Sequence, residues 1–275
     1  MARTRRIKIA SEGTAYYHLM SRTNDKRFLF SKGAVKTELV LALKRAAEFS
    51  GIELEAYAAM DNHFHVVCKV VRGGEPVPGA ELIRRVGVLK GRKAAEELAE
   101  HWDDLEKAGY DATLKAEQDH LRARMNDISA MIKTFKELFN IWYKRNQDYC
   151  GSIWSGRFTS TLVERGRYLA VCKKYVMLNP VRARIVTQAK DYKWSWSREE
   201  GEEMRVNMGS VPEEKLMKRV AQIGGGKILG SEEFVRKWVF VMGHLMSSRS
   251  AGAHKVGEIG YSSHGWKLEK GKKAA

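Results

Sequence analysis

The chain has 275 residues, and 49 Lys and Arg against 33 Asp and Glu give it a formal net charge of +16 at pH 7. Such an excess favours binding to a polyanion, and nucleic acid is the first candidate. A membrane surface is the rival, but no apolar run could span a bilayer and the basic first residues lead into no hydrophobic stretch, so we expect no membrane segment and no signal peptide. Three scattered cysteines argue against a disulfide framework and favour a reducing cytoplasm.

The apolar pattern predicts strands and helices in the order strand, helix, strand, strand, helices, strand, helix. The predicted strands are residues 15–20, 52–60, 63–71 and 158–163, and the predicted helices are 33–50, 113–147 with a break near Asn126, and 168–178. In the second strand, the apolar residues at even positions from Ile52 to Ala58 are expected to share one face. The order is similar to the split βαβ arrangement of ferredoxin-like folds, so we predict an α+β fold with an antiparallel sheet and packed helices.

Two segments depart from this pattern. A Gly- and Pro-rich break at 73–79 is followed by a heavily charged helical pattern from Ala80 to about Gly109, and we interpret residues 80–125 as a solvated helical insertion. Beyond Ser197 the composition shifts towards Glu, Lys and Gly, with one clear helix at about 232–246. We therefore divide the chain into a main domain of residues 1–197 and a separate, mainly helical C-terminal region of residues 198–275.

Two histidines stand two positions apart in the strand predicted at 63–71. Side chains at that spacing project to the same face of a sheet, so His63 and His65 present two imidazoles side by side. The alternate residues, from Phe64 to Val70, are apolar and predict that the other face is buried. Two neutral imidazoles can share one divalent cation, although a pair of ordinary histidines on a polar face is the simpler interpretation of this motif alone.

A shared cation needs further ligands, and the long helix offers a candidate pair. Tyr143 and Gln147 are four residues apart and therefore lie on one helical face. A phenol beside a metal-bound phosphodiester can act as a covalent nucleophile, and an amide oxygen one turn away can complete the metal shell. Lys144 and Arg145, with Arg157 further along the chain, are expected to hold the neighbouring phosphates. The alternative is that Tyr143 is a residue at the edge of a core helix.

Five blocks of the sequence resemble, in order, the signature blocks of one protein family. They are Tyr17-His-Leu-Met-Ser-Arg22, Met60-Asp-Asn-His-Phe-His-Val-Val67, Gly151-Ser-Ile-Trp-Ser-Gly-Arg-Phe158, Tyr175-Val-Met-Leu-Asn-Pro-Val-Arg-Ala183 and Asp191-Tyr-Lys-Trp-Ser-Trp-Ser197. The family is that of the HUH single-tyrosine transposases, which are IS200-like transposases. The later blocks are similar to its branch of REP-associated tyrosine transposases, and the resemblance spans about residues 14–197.

The resemblance implies an HUH nuclease fold and a Mg or Mn ion held by His63 and His65. It also implies that single-stranded DNA is cleaved to a 5′-phosphotyrosine and a free 3′-OH, and that the same site rejoins strands. The implied substrates are short imperfect palindromes that fold into hairpins. A cytoplasmic, nucleoid-associated bacterial protein that works as a monomer or homodimer would fit this activity.

The resemblance leaves the choice of nucleophile to the residues of this chain. Many relatives carry several tyrosines in the long helix, whereas this helix has Phe139 and Trp142 beside Tyr143. Tyr143 is therefore the predicted nucleophile, Gln147 the predicted third ligand, and Tyr149 the fallback nucleophile just past the helix. Two arginines inside the matching blocks complete the expected DNA contacts, namely Arg22 and Arg182.

Two other functions remain open from the sequence. A domesticated hairpin-binding protein or repressor could keep the fold without the chemistry, but the intact His63, His65, Tyr143 and Gln147 argue against a loss of catalysis. An RNA-binding module is the second alternative, because ferredoxin-like sheets often present aromatic residues to single-stranded RNA. That alternative leaves the paired histidines unexplained, and cleavage of DNA but not of RNA oligonucleotides would separate the two.

Overall fold

The protein is described here from a computed structural model that covers residue 7 and residues 13–198, 228–247, 259–262 and 265–268. The strands are β1 (Gly13–Arg22), β2 (Glu53–Ala59), β3 (His63–Arg72), β4 (Thr159–Val163), β5 (Ser195–Ser197), β6 (Ile228–Leu229), β7 (Ile259–Ser262) and β8 (Gly265–Leu268). The helices are α1 (Gly33–Ser50), α2 (Gly79–Lys90), α3 (Arg92–Lys107), α4 (Asp111–Arg122), α5 (Ile128–Asn146), α6 (Arg167–Met177), α7 (Asn179–Arg182) and α8 (Glu232–Ser247). None of the described helices is long and apolar enough to cross a membrane.

Six strands form one sheet in the order β5-β2-β3-β1-β4-β6. All neighbouring strands are antiparallel except the edge pair β4 and β6, which is parallel. The long strands β1 and β3 pair along their whole length, from Gly13 opposite Arg72 to Arg22 opposite His63. The α+β class with an antiparallel sheet and packed helices is confirmed.

The predicted elements from residue 13 to 198 are present, and two helical stretches are divided by specific residues. The pattern at 80–109 forms two helices because Gly91, with φ +95°, interrupts it. The predicted break near Asn126 is confirmed: Asn126 adopts φ +53°, and the Asp127 carboxylate then accepts hydrogen bonds from the Ser129 and Ala130 backbone N–H groups to begin α5.

A β-bulge changes the faces of β2. The register against β3 shifts between Leu54 and Ala56, so Ile52 and Leu54 pack in one core whereas Ala56 and Ala58 pack in the core on the other side of the sheet. The prediction that the even-numbered residues from Ile52 to Ala58 share one face is therefore wrong. A bulge inserts one extra residue, which reverses the alternation of side chains beyond it.

Helices cover both faces of the sheet. On the α1/α5 face, these two helices pack against alternate residues of β3 that include Phe64, Val66 and Cys68. On the α6 face, helix α6 packs against Val67 of β3 and against Ala56 and Ala58 of β2. Because side chains alternate along a strand, His63 and His65 belong to the α6 face.

The charged insertion and the C-terminal region are attached differently. Helices α2, α3 and α4 surround a small core of their own that includes Leu82, Trp102 and Leu114, and this core also contacts Phe49 of α1. The described part of the C-terminal region supplies the edge strand β6, helix α8 and the hairpin of β7 and β8. Residues 228–229 are therefore continuous with the main sheet, and the Ser231 N–H donates to the Glu164 carboxylate beside β4.

Candidate active site

The two histidines of the His-x-His motif lie at the end of β3 next to β1. Their closest cross-strand neighbours on β1 are Arg22, opposite His63, and Met20, opposite His65. A third histidine, His18 of β1, lies on the same face, and its Nε2 is 2.9 Å from Nδ1 of His65. The His63 and His65 rings meet edge to face with their centroids 5.0 Å apart. The sheet therefore gathers three imidazoles under α6.

Burial keeps these imidazoles neutral. Burial lowers the pKa of His18 to about 4. It also lowers the pKa of His63 to about 4, helped by the positive charge of Arg22 and opposed by Asp61 and by the Asn179 side chain, which would accept a hydrogen bond from the charged ring. Burial, the other two histidines and Arg22 hold the pKa of His65 well below its usual range. Neutral imidazole is the form that binds a metal ion, so the site is ready to do so at neutral pH.

Helix α6 places a tyrosine directly against these histidines. The half-buried ring of Tyr175 meets His65 edge to face at 5.7 Å and His18 edge to face at 6.2 Å between centroids. Just beyond the helix, the Asn179 side chain lies next to His63, and its Nδ2–H donates to the Tyr175 carbonyl at 3.5 Å. The Arg182 guanidinium of α7 lies over the Tyr175 ring, 5.1 Å from its centroid. A phenol, an amide and a cation thus converge on the histidines from one short stretch of chain.

Two features hold α6 in this position. Ala56 and Ala58 have no exposed surface and present only methyl groups, so the helix can approach the sheet closely. The bulge in β2 places Glu55, which is 2% exposed, where its carboxylate pairs with Lys173 of α6 at 3.4 Å. A buried carboxylate that lost its partner would be costly, so this pair fixes where α6 can sit on the sheet.

The structure does not bring Tyr143 and Gln147 to the histidines. Tyr143 lies on the α1/α5 face, where its ring packs on Phe139 and Tyr149 and its hydroxyl donates to the Leu29 carbonyl at 3.1 Å. Burial raises the pKa of this phenol, so less of it is ionised near neutral pH. Gln147 ends α5 and accepts a hydrogen bond from Lys32 at 3.1 Å. The sheet separates this pair from the imidazoles.

The predicted DNA contacts divide between the two faces. Arg22 and Arg182 lie at the histidines and at Tyr175, respectively. Lys144 and Arg145 are exposed in the last turn of α5, close to Gln147. Arg157 is exposed in the loop before β4; this loop is joined to the end of β1, where the Ser155 N–H donates to the Arg22 carbonyl.

An exposed aromatic residue lies in the loop that joins β1 to α1. Phe28 is 70% exposed, and its neighbour Arg27 lies over the Tyr149 ring, 5.5 Å from the centroid. The loop is fixed to the turn before His63, because the Phe30 N–H donates to the Asp61 carbonyl. A fixed, exposed ring among cations is a suitable stacking surface for an unpaired base.

The donor set suits a hard or borderline divalent ion. His63 and His65 are neutral imidazoles on one face, and the Asn179 amide touches His63. Within the described ranges, no group of three His, Cys, Asp or Glu side chains is arranged to hold a shared ion. An amide oxygen can also bind a divalent ion, and the Asn179 side chain next to His63 can add one to the two imidazole nitrogens. The residues present therefore fit a metal site of two imidazoles and one amide.

The comparisons with known proteins bear on this same strand pair. Residues 12–114 match the family model described as "Transposase IS200 like". The matched range contains His18, His63 and His65 but ends before Tyr143 and Tyr175, so the match does not distinguish the two tyrosines.

A search of curated proteins finds no matching relative. A search of solved structures finds one described as "Structure of the REP associates tyrosine transposase bound to a REP hairpin" at a TM-score of 0.45 and 15% sequence identity, covering 71% of this chain and 82% of that chain.

A signal for Tyr175 and Asn179 exists in the sequence. Tyr175 and Asn179 are four residues apart, which is the spacing of Tyr143 and Gln147. Tyr175 and Asn179 also belong to the signature block that runs from Tyr175 to Ala183, whereas Tyr143 and Gln147 lie outside all five blocks. Block membership therefore favours Tyr175, and the structure adds which helix covers the face that carries His63 and His65.

Proposed function

We propose that the chain nicks and rejoins single-stranded DNA through a covalent bond to Tyr175. The observation that carries the proposal is the contact of the Tyr175 ring with His65 and His18, together with the Asn179 side chain next to His63. A nucleophile, two imidazoles and an amide within one site are the components of metal-assisted phosphodiester cleavage. The IS200-like pattern of residues 12–114 supports this class of reaction.

In the cleavage step, the Tyr175 oxygen attacks a backbone phosphorus atom. The bond from phosphorus to the 3′-oxygen breaks, a 5′-phosphotyrosine forms, and the departing 3′-oxygen takes up a proton while the phenol loses one. In the rejoining step a 3′-OH attacks the phosphotyrosine and the phenol is restored. The covalent bond conserves the energy of the phosphodiester, so no nucleotide is hydrolysed.

Five side chains assist this chemistry. Arg182, above the Tyr175 ring, and Arg22, beside His63, bring positive charge to the phosphate and to the phenolate. His63, His65 and Asn179 would hold a Mg or Mn ion. When bound, the ion would polarise the phosphate and stabilise the departing oxygen.

The proposed substrate is single-stranded DNA that forms a hairpin. The net charge of +16 favours a polyanion, and the exposed Phe28 beside Arg27 offers a surface for an unpaired base. The preference for short palindromes rests on the resemblance of the signature blocks to the REP-associated branch. A hairpin with a single-stranded flank should be cut, whereas the same sequence as a blunt duplex should not.

The experiment is peptide mapping of the covalent adduct on a suicide oligonucleotide. The unmodified protein should carry the DNA on Tyr175, and Tyr175→Phe should form no adduct although it still binds the hairpin. Tyr143→Phe is the matched control and should form the adduct as the unmodified protein does. DNA attached to Tyr143 or Tyr149 would overturn the assignment, and hairpin binding without any adduct would favour a binding protein that has lost the chemistry.

A further inference from the structure

Both histidines of the motif use the same ring nitrogen for a bond within the protein. Nδ1 of His63 lies 2.7 Å from Oδ1 of Asn62. Nδ1 of His65 lies 2.9 Å from Nε2 of His18. In each case Nε2 is the nitrogen that remains for a ligand.

The partner of His63 defines its tautomer. The amide of Asn62 is oriented by its own Nδ2–H, which donates to the Lys26 carbonyl at 3.0 Å, so Oδ1 is the atom that faces His63. An amide oxygen only accepts, so Nδ1 of His63 must carry the proton. A neutral imidazole has a single N–H, and Nε2 of His63 therefore keeps a lone pair.

The partner of His65 permits two arrangements, of which one allows a ligand to bind. The His18 and His65 nitrogens are 2.9 Å apart while the ring centroids are 5.1 Å apart, and the ring planes differ by 12°. The two nitrogens thus point at each other along the line between the rings. If His65 donates from Nδ1, its Nε2 is free to bind a cation. If His18 donates instead, His65 carries its proton on Nε2, and that nitrogen cannot bind a cation.

We propose that Asn62 and His18 are positioning residues that hold His63 and His65 with Nδ1 protonated, so that both Nε2 lone pairs face the metal site. This inference rests on the metal-dependent function proposed above. In this arrangement the buried His18 accepts a hydrogen bond from His65, which gives His18 a role in the site. Partners of this kind fix the orientation of metal-binding imidazoles and raise their affinity.

The first test measures the tautomers without metal or DNA. Long-range ¹H–¹⁵N correlation spectra of ¹⁵N-histidine protein distinguish a proton on Nδ1 from a proton on Nε2. We expect His63 and His65 to carry the proton on Nδ1, with His65 losing this preference in His18→Phe and His63 losing it in Asn62→Leu. A His65 signal with the proton on Nε2 in the unmodified protein would overturn the role of His18.

The second test measures Mn²⁺ affinity by electron paramagnetic resonance, again without DNA. His18→Phe and Asn62→Leu should each weaken binding by about 10- to 100-fold, since loss of such partners typically has that effect. His18→Gln, which places an acceptor near the position of Nε2, should restore most of the affinity and guards against misfolding of the Phe variant. His101→Phe changes an exposed histidine bonded to Glu117 in the insertion and should leave the affinity unchanged.

The two tests separate this inference from the proposed function. Mn²⁺ binding by the unmodified protein that is equally tight in His18→Phe and Asn62→Leu overturns the positioning roles and leaves the metal site standing. No Mn²⁺ binding by the unmodified protein overturns the metal site, and the tautomers recorded without metal still decide whether Asn62 and His18 orient the two rings.

Discussion

Replacing the two candidate tyrosines by phenylalanine should separate stability from chemistry. The Tyr143 hydroxyl is buried and donates to the Leu29 carbonyl, and its loss removes one hydrogen bond worth about 0.5–1.5 kcal/mol. For a domain of this size, about 1 kcal/mol shifts the melting temperature by roughly 2–4 °C. Tyr143→Phe should therefore melt a few degrees earlier than the unmodified protein and still form the covalent adduct.

Tyr175→Phe should give the opposite result. Its ring contacts with His65 and His18 survive the change, and no hydrogen bond of its hydroxyl is found within the described part of the chain. The melting temperature should therefore stay close to that of the unmodified protein, since such substitutions usually change stability by within about 0.5 kcal/mol. The adduct should disappear completely, because no other group replaces the attacking oxygen.

The assay combines a thermal melt with denaturing gel electrophoresis of each variant on the same suicide oligonucleotide. Loss of the adduct by Tyr143→Phe at an unchanged melting temperature would refute the assignment of the nucleophile to Tyr175. An adduct formed by Tyr175→Phe would refute it as well. Loss of both properties in one variant would show a folding defect, and hairpin binding by that variant then tests whether the site is still formed.

Three further perturbations follow from the structure. Phe28→Ala should weaken binding of a single-stranded oligonucleotide by roughly 5- to 150-fold, because one stacked base contributes about 1–3 kcal/mol. Tyr110→Ala removes a similarly exposed ring from the insertion and should leave this binding unchanged. Equal losses of affinity for the two variants in a fluorescence anisotropy titration would exclude stacking on Phe28. Acid should destabilise the protein, because burial lowers the pKa of His18 to about 4 and the unfolded chain takes up a proton that the folded chain excludes. The free energy of unfolding in urea should fall between about pH 6.5 and 4, by on the order of 3 kcal/mol from this group, and His18→Phe should flatten the dependence. Lys173→Met should cost up to about 3–5 kcal/mol, because it leaves the buried Glu55 carboxylate with only the part-exposed Arg198 at 3.8 Å. Adding Glu55→Gln should recover most of that loss in the same unfolding measurement.

The sequence determined the elements and the local geometry of the motif. Alternation with a period of two placed His63 and His65 on one face, and the structure keeps them there because a strand leaves no other arrangement. The break at Asn126 and the core-facing side of α5 were predictable for the same reason, since apolar spacing and turn residues act over a few positions. The bulge after Leu54 was not predictable, because one inserted residue reverses the faces without changing the composition of the strand.

The tertiary structure alone decided which tyrosine meets the histidines. Tyr143 with Gln147 and Tyr175 with Asn179 have the same spacing, and in each pair the tyrosine ends a helix and the amide follows just beyond it. Spacing fixes only which side chains lie near each other locally, and both pairs satisfy it. The face of the sheet that each helix covers depends on contacts far apart in sequence, such as the buried pair of Glu55 and Lys173 under α6. Those contacts place Tyr175 at the imidazoles and leave Tyr143 in the opposite core.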